Sequence, residues 1–564
     1  MFDAAGVDRM VGELQRGAEG WSKLPTASKR ELLLELHRAV AAVAEEWVEV
    51  SCRLKGIAVD SLLAGEEWMS GPYVVLAYVR ALAQTLEAGR DPLGGARVRT
   101  RSDGRVVVEV LPWDVYDRLL LSGYWVEVWM RPGVSVSEVR SRSGRCLRDG
   151  ESPRVALVLG AGNISSIAPL DVLYKLYADG DVVVLKMNPV NAGLQPVLER
   201  VFAPFVRDGF VRFASGGADV GGYLAHHPGV GAVHITGSAA VHDAVVFGDG
   251  PDGARRKTQA RPLLEKPITS ELGGVSPAIV VGGRWEEADL RFHAENVAVQ
   301  KLHNCGFNCV AAQVLVLPAG WAQAERFLAY VREAIRRAPP RPAYYPGAGD
   351  RQAQAVAGHA NAELLGGDVP RTLIADLDAR DVDEPAFTSE MFAPVLGVTR
   401  LPGRTEREFL DAAVTFSNER LAGTLAANVI VAPSTLKRHG SQFADAIARL
   451  RYGGLGVNCW SAFAYLAPRA SWGAFPGGEL HNIQSGIGVV HNALLLQRPE
   501  RSIAYGPFRP FPRSLLRGEF SLSPKPPWFL NNRTARLTNQ RLTRFEASRG
   551  VRHLPGIFAS AMRG

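Results

Sequence analysis

Between residues 154 and 235 the chain sets short, almost unbroken apolar runs at intervals long enough to hold a helix. Residues 155–160 read Val-Ala-Leu-Val-Leu-Gly, residues 182–186 read Val-Val-Val-Leu-Lys, and the runs at 209–214 and 230–235 follow. A strand apolar on both sides is buried on both faces, and such strands alternate with helices in doubly wound parallel sheets. The runs beginning at Pro277 and Ala311 start a second unit of the same kind. The fold class expected is therefore α/β. Before this region, residues 28–90 carry apolar and charged positions at helical spacing, and 105–111 reads as a strand. Residues 131–152, rich in Ser, Arg and Gly with alternating Val, read as an exposed hairpin or arm, and 338–348 and 505–528 as long loops.

In open α/β sheets, ligands sit beyond the carboxyl ends of the strands. Asn163, Lys186 and the pair Gly237-Ser238 all fall there. Asn163 reads either as a cap of the next helix or as an amide donor to a developing oxyanion. Lys186 reads either as a solvated strand end or as a cation for phosphate or ribose. Thr236-Gly237-Ser238 opens a helix whose N–H groups can face a pyrophosphate, although no full G-x-G-x-x-G fingerprint occurs in the chain.

Two further positions carry reactive chemistry. Cys309 closes Asn304-Cys305-Gly306-Phe307-Asn308-Cys309, 38 residues after Glu271 in Glu271-Leu272-Gly273-Gly274. A thiol can take up an acyl group, and a carboxylate can activate the water that removes it. Read singly, Cys309 is equally a buried hydrophobe, and Glu390 in Ser389-Glu390-Met391-Phe392 is a loop carboxylate. The cysteines (Cys52, Cys146, Cys305, Cys309, Cys459) are scattered, with no zinc-site spacing, so neither a metal nor a disulfide framework is expected. Cys305 and Cys309 are near enough in sequence to pair under oxidation if geometry permits.

Charge is unevenly placed. Residues 501–564 hold eleven Arg and one Lys against Glu519 and Glu546, a net +10, which leaves the first 500 residues at −3. The body thus gives no reason to expect nucleic acid as a partner. Neither a secretory leader nor a membrane-spanning run is evident, so a cytoplasmic setting is expected. The tail reads first as an ordered extension wrapping a neighbouring subunit, with Trp528, Phe529 and Phe545 as anchors. Contact with an anionic surface is the alternative.

Taken in order, these pieces resemble the aldehyde dehydrogenase superfamily from about residue 20 to 495. The motifs are the strand ending in Lys186, the stretch 217–228 leading into Val233–Ser238, Glu271–Pro277, Asn304–Cys309, Glu390–Val395, Gly456-Val457-Asn458-Cys459, and Trp472–Gly478 with Gln484–Gly488. The resemblance implies an aldehyde dehydrogenase-like fold: a Rossmann-type dinucleotide domain (1–130 and 153–276), an oligomerisation arm (131–152) and an α/β catalytic domain (277–490), followed here by a basic extension (491–564). It implies a homodimer or homotetramer using NAD or NADP on a small aldehyde. It also implies roles: Cys309 as nucleophile, Glu271 as general base, Asn163 as oxyanion donor, and Lys186, Gly237, Ser238, Glu390 and Phe392 as cofactor-binding residues. The alternative is a CoA-dependent acylating dehydrogenase or acyl-CoA reductase. The turn Gly160-Ala161-Gly162-Asn163 resembles that of some such reductases, and the presence of Glu271 opposes the reading. An inactive scaffold is opposed by the intact set of motifs. The chain departs from the common pattern at Pro189, where NAD-preferring members place Glu, and at His242, where a second Gly is usual. Phe307 and Asn308 replace a common Gln and a small residue. The aromatics Trp460, Phe463 and Phe475 point to a bulky apolar substrate or to core packing.

Overall fold

The computed structural model describes residues 3–148, 150–366 and 370–564. Among the described residues, six strands form one sheet in the order Gly486–Ile487, Ile268–Leu272, Ala232–Gly237, Val155–Leu159, Val182–Lys186, Val211–Ala214. The last five are parallel. The chain starts at Val155–Leu159, winds outward through Val182–Lys186 to Val211–Ala214, then crosses back to Ala232–Gly237. The order therefore reverses between Val155–Leu159 and Ala232–Gly237, and their carboxyl ends open a crevice at that switch point. Asn163 and Ser238 stand just past these two ends. The continuous apolar reading of the strands matches their environment, since Val182–Lys186 is buried at every position.

The faces of this sheet are covered by helices. Trp21, on the helix Ala4–Lys23, is fully buried and packs edge-on to Tyr177 at 5.3 Å and against Phe210 at 5.1 Å. Its indole N–H donates to the carbonyl of Leu176 at 3.1 Å, which satisfies the polar edge of a ring buried for its apolar area. The expected helices over 28–90 are Thr26–Leu54 and Val74–Ala88, with short helical turns between them.

Eleven strands form the second sheet. Its centre is parallel: Gly454–Val457, Ala426–Ile430, Ser276–Val280, Ala312–Pro318, Val395–Leu401 and Arg371–Leu377. Residues 98–130, placed by sequence with the nucleotide half, pair elsewhere. The strands Val98–Thr100, Val106–Leu111 and Trp125–Met130 extend this larger sheet through Pro499–Tyr505, which pairs antiparallel with Trp125–Met130 and parallel with Gly454–Val457. Glu109 and Glu127, side by side in the ladder, keep these strands from reading as a continuous apolar run.

Two expectations are corrected. The segment 131–152 is not a hairpin. Its centre is the helix Val136–Arg142, started by Ser135, whose hydroxyl accepts from the Glu138 N–H at 3.1 Å; Asp149 lies outside the described residues. The basic tail wraps its own chain. Phe529 stacks on Phe292 at 5.1 Å, Trp528 lies 5.7 Å from Phe463, and Phe545 meets Tyr116 edge-on at 5.2 Å. Its cations pair with acids of the body, Arg509 with Asp289 at 2.8 Å, Lys525 with Glu295 at 2.9 Å and Arg544 with Glu45 at 2.8 Å. Part of the tail's excess charge is thus neutralised within the chain.

Candidate active site

The helix Glu287–Leu302 runs into a short 3-10 turn, His303–Gly306, and the chain then passes Cys309 before entering the strand Ala312–Pro318. Asn304, Cys305 and Gly306 all have positive φ, at 52°, 57° and 80°. Asn tolerates this region, but a cysteine there is strained and needs its surroundings to hold it. A Cβ on Gly306 would lie 2.8 Å from the Ala393 carbonyl oxygen, so this position requires glycine.

What holds the loop is a buried group of charges from remote parts of the chain. Glu66 accepts from the Asn304 backbone N–H at 3.0 Å and pairs with Arg341. Lys55 pairs with Glu67 at 2.8 Å and donates to the Asn304 side-chain carbonyl at 3.1 Å, which Arg341 also reaches at 3.3 Å. The Asn304 amide nitrogen donates to the carbonyls of Asn163 at 3.1 Å and Phe307 at 3.0 Å. Every polar atom of this side chain is therefore engaged. Burial works against ionisation of Glu66, and the Arg341 guanidinium overcomes it, keeping the carboxyl below its ordinary range. Burial lowers Lys55, with Glu67 opposing. None of these four charged residues was singled out from the sequence. A Glu66-Glu67 pair inside the apolar stretch Leu62–Ser70 was the available signal.

Asn163, Glu271 and Cys309 line one cavity. The Asn163 amide nitrogen donates to the Phe307 carbonyl at 2.9 Å. An NH2 group has two protons, so this bond fixes the amide while leaving its second N–H for a ligand in the cavity. Glu271, on the strand Ile268–Leu272, is 2 % exposed, and its Oε1 is buried without a partner. Burial raises its carboxyl to about 7; a hydrogen bond from the Cys309 thiol opposes the rise and the charge of Asp171 adds to it. Burial and then the neighbouring Glu271 push the Cys309 thiol well above its ordinary value. The thiol therefore holds its proton more tightly than the Glu271 carboxyl does. Cys305 is also a free thiol, but it packs with Phe307 and Ala348 on the far side of the loop and takes no part in this cavity.

The crevice on the other side of Cys309 has the chemistry of a dinucleotide cradle. Ser238 caps the nine-residue helix Ala239–Phe247, its hydroxyl accepting from the Val241 N–H at 3.3 Å. The helix presents its remaining N–H groups where a pyrophosphate can accept from them. Lys186 ends its strand only 7 % exposed, its ammonium lowered by burial and supported by Asp219. His242, at the position of the usual glycine, is turned into the core and bonded to Asp243 at 3.3 Å, so it does not block the helix start. Glu390 lies against the backbone of Gly273, where a Cβ would come within 2.0 Å of its Oε2. Its Oε1 is buried and unpartnered. Burial raises Glu390 to about 8, with Lys301 opposing and Glu271 adding. An orphaned carboxylate oxygen in such a crevice is a site for a sugar hydroxyl. Phe392 packs on Phe307 at 5.6 Å and Tyr345 at 5.0 Å, and Arg351 fixes its carbonyl at 3.0 Å. The residues present thus fit a dinucleotide.

The cavity over Cys309 encloses about 670 Å³, its mouth included, and Trp460, Phe463, Tyr465, Trp472, Ile164 and Ile167 form much of its wall. Of the three aromatics that read as substrate wall or core, Trp460 and Phe463 face it. Phe475 does not; it packs 4.6 Å beneath the Arg501 guanidinium, which is core packing. Among the described residues, no cluster of three or more His, Cys, Asp or Glu could hold a metal ion, and no helix is long and apolar enough to cross a membrane.

Residues 163–343 match the sequence profile of the aldehyde dehydrogenase family. Geranial dehydrogenase of Castellaniella defragrans is 26 % identical over 376 residues, which is 62 % of this chain and 63 % of that protein. Coniferyl aldehyde dehydrogenase of a Pseudomonas species is 24 % identical over 47 % of this chain and 54 % of its own length. The chain thus spans less than two thirds of the length of these curated relatives. Among solved structures, a mutant of aldehyde dehydrogenase C from Pseudomonas syringae, in complex with NAD+ and octanal, superimposes with a TM-score of 0.59 at 20 % identity, covering 90 % of each chain. NADP-dependent glyceraldehyde-3-phosphate dehydrogenase from Bacillus halodurans, complexed with NADP, gives 0.60 at 16 % identity over 89 % of this chain and 91 % of its own. At these identities the structures establish the shared fold.

Proposed function

We propose that this chain, which belongs to the aldehyde dehydrogenase superfamily as a divergent member, oxidises an aldehyde to its carboxylic acid with NAD or NADP through an acyl group carried on Cys309. The observation that carries this reading is the meeting of Cys309, Asn163 and the buried Glu271, whose Oε1 has no partner, in the lining of one cavity. Glu271 takes the thiol proton as sulfur adds to the carbonyl carbon. The free N–H of Asn163 donates to the oxygen as it gains charge. Lys186, the helix start at Ser238, Glu390 and Phe392 would hold the dinucleotide, which supplies the hydride acceptor that turns the thiohemiacetal into a thioester. Glu271, with its carboxyl raised to about 7, gives up the thiol proton to solvent and, ionised again, removes a proton from the water that attacks the thioester carbonyl, and the departing Cys309 sulfur takes that proton back as the acid is released. The apolar wall keeps bulk water away from the acylated sulfur.

The test is reduction of NAD+ and NADP+ by the purified protein across a panel of aldehydes, with and without CoA. Cys309→Ala should abolish turnover. Glu271→Gln should form the first equivalent of reduced dinucleotide more slowly and stall after it if water is the acceptor. Full CoA-dependent turnover by Glu271→Gln would move the assignment to the acylating class. Full turnover by Cys309→Ala would sink the covalent mechanism.

A further inference from the structure

Behind part of the wall of the cavity over Cys309 lies a second cavity. Met69, Phe463, Leu466 and Trp528 also line this larger cavity of about 1100 Å³, open mouth included, on the side away from the nucleophile. The basic tail builds one wall of this outer chamber, through residues 523–528 and the helix Ala535–Ala547. Leu120, Leu121, Tyr124, Leu542 and Phe545 make much of its lining apolar.

The wall is fixed in place. The helix Ala535–Ala547 crosses the helix Ala64–Trp68 so closely that a Cβ on Gly65 would lie 2.8 Å from the Ala535 backbone. Asn539 donates to the Gly65 carbonyl at 2.9 Å. Of the charges that reach the chamber, Arg80 and Arg549 both pair with Glu546, at 2.8 Å and 2.9 Å, and stitch the tail to the body, while Arg469 lies 4.1 Å over the Trp113 ring with its Nε unpartnered. The chamber is therefore preformed, and it shares its inner wall with the cavity that holds the reactive thiol.

We infer that the two chambers form one binding site for a long-chain apolar aldehyde, with the carbonyl at Cys309, the chain passing Trp528, and the distal carbons in the chamber walled by the tail. This rests on the proposed aldehyde oxidation and specifies its substrate class. A short aldehyde fills only the inner chamber. Each methylene buried beyond Trp528 moves from water to an apolar wall, which raises kcat/KM about fourfold where burial is complete.

The experiment measures kcat/KM for straight-chain aldehydes from butanal to hexadecanal, with wild type and with Leu542→Trp, which fills the outer chamber from its tail-built side. The expected profile keeps rising beyond octanal. Leu542→Trp should lower the dodecanal-to-butanal ratio at least tenfold. A profile that falls beyond hexanal, or a ratio unchanged in Leu542→Trp, overturns the inference. In both of those cases butanal is still oxidised, so aldehyde oxidation itself survives. Absence of turnover with every aldehyde instead removes the underlying reading. If Leu542→Trp does not fold, inhibition of wild-type butanal oxidation by 1-butanol and 1-dodecanol decides. An inhibition constant at least a hundredfold lower for dodecanol supports the long site, and equal constants overturn it.

Discussion

The side-chain amide of Asn163 donates to the main-chain carbonyl of Phe307 at 2.9 Å, two residues before Cys309. One N–H is thereby committed to the loop that carries Cys309, and the orientation of the other is set by it. Removing a preorganised donor to an oxyanion costs about 10²–10³ in kcat. Asn163→Ala should fall in that range, with the aldehyde KM changed by less than about threefold. Steady-state kinetics alongside a thermal melt checks this. A kcat within twofold of wild type would falsify the oxyanion role.

Glu271 links activity and stability to pH in opposite senses. Its folded value of about 7 lies above the ordinary 4.5 because burial disfavours the charged form. The base role proposed for Glu271 requires the ionised form, so kcat should climb as pH rises through about 7. For stability the sign is the reverse. The neutral carboxyl is fully accommodated below pH 4.5, and this advantage disappears as pH rises through 7. Glu271→Gln, neutral throughout, should match wild type near pH 4.5 and exceed it by on the order of 2–3 kcal/mol above pH 7. Urea unfolding at pH 5, 6, 7 and 8 measures the gap. A constant gap across that range would show that the burial of Glu271 is not what sets its proton affinity.

Glu66 and Arg341 act on Cys309 at one remove, through the backbone of Asn304. Arg341→Met leaves Glu66 charged and buried without its partner, which costs about 3–5 kcal/mol. Pairing it with Glu66→Gln relieves that charge, so the double variant should recover much of the lost stability. It should not recover rate, because the neutral amide holds the strained Asn304-Cys305 turn less firmly than the carboxylate does. The expected result is kcat down about 10-fold or more, with slower iodoacetamide alkylation of Cys309 and little change in aldehyde KM. Recovery of rate together with stability would assign these charges to folding alone.

How much of this was legible in the sequence depends on range. The strand ending at Lys186 is buried at every position, so its composition announces it, and the strand-end rule places Asn163 and Ser238 at the switch point. Glu271 and Cys309 share one cavity, as their motifs implied. The charges beneath the Cys309 loop were not legible, because Glu66 meets Asn304 across 238 residues and no local pattern encodes that meeting. The strands over 98–130 went to the larger sheet because their partner, Pro499–Tyr505, lies near the far end of the chain. Trp528 reads as an anchor in either setting, and only the fold shows that it anchors into Phe463 of its own chain.

Dinucleotide preference follows from what stands after Lys186. Residue 189 is a proline opening a 3-10 turn, and the side chain of the neighbouring Asn188 is occupied, its Oδ1 accepting from the Val190 N–H at 3.0 Å. A carboxylate at residue 189 would accept from ribose hydroxyls and repel a 2′-phosphate. Proline does neither, and the Lys186 ammonium is left as the charge nearest that position in the chain. The chain should therefore accept both dinucleotides, with kcat/KM for NADP+ at least equal to that for NAD+. Pro189→Glu should shift the ratio toward NAD+ by about tenfold or more, since like charges placed side by side cost more than about 1 kcal/mol when partly desolvated. Lys186→Met should raise the KM for NADP+ more than that for NAD+, because a charge-assisted bond to phosphate is stronger than one to a neutral hydroxyl. Initial rates with both dinucleotides in the three proteins settle the point. Strict NAD+ selectivity in the wild type would show that some group other than residue 189 reads the ribose.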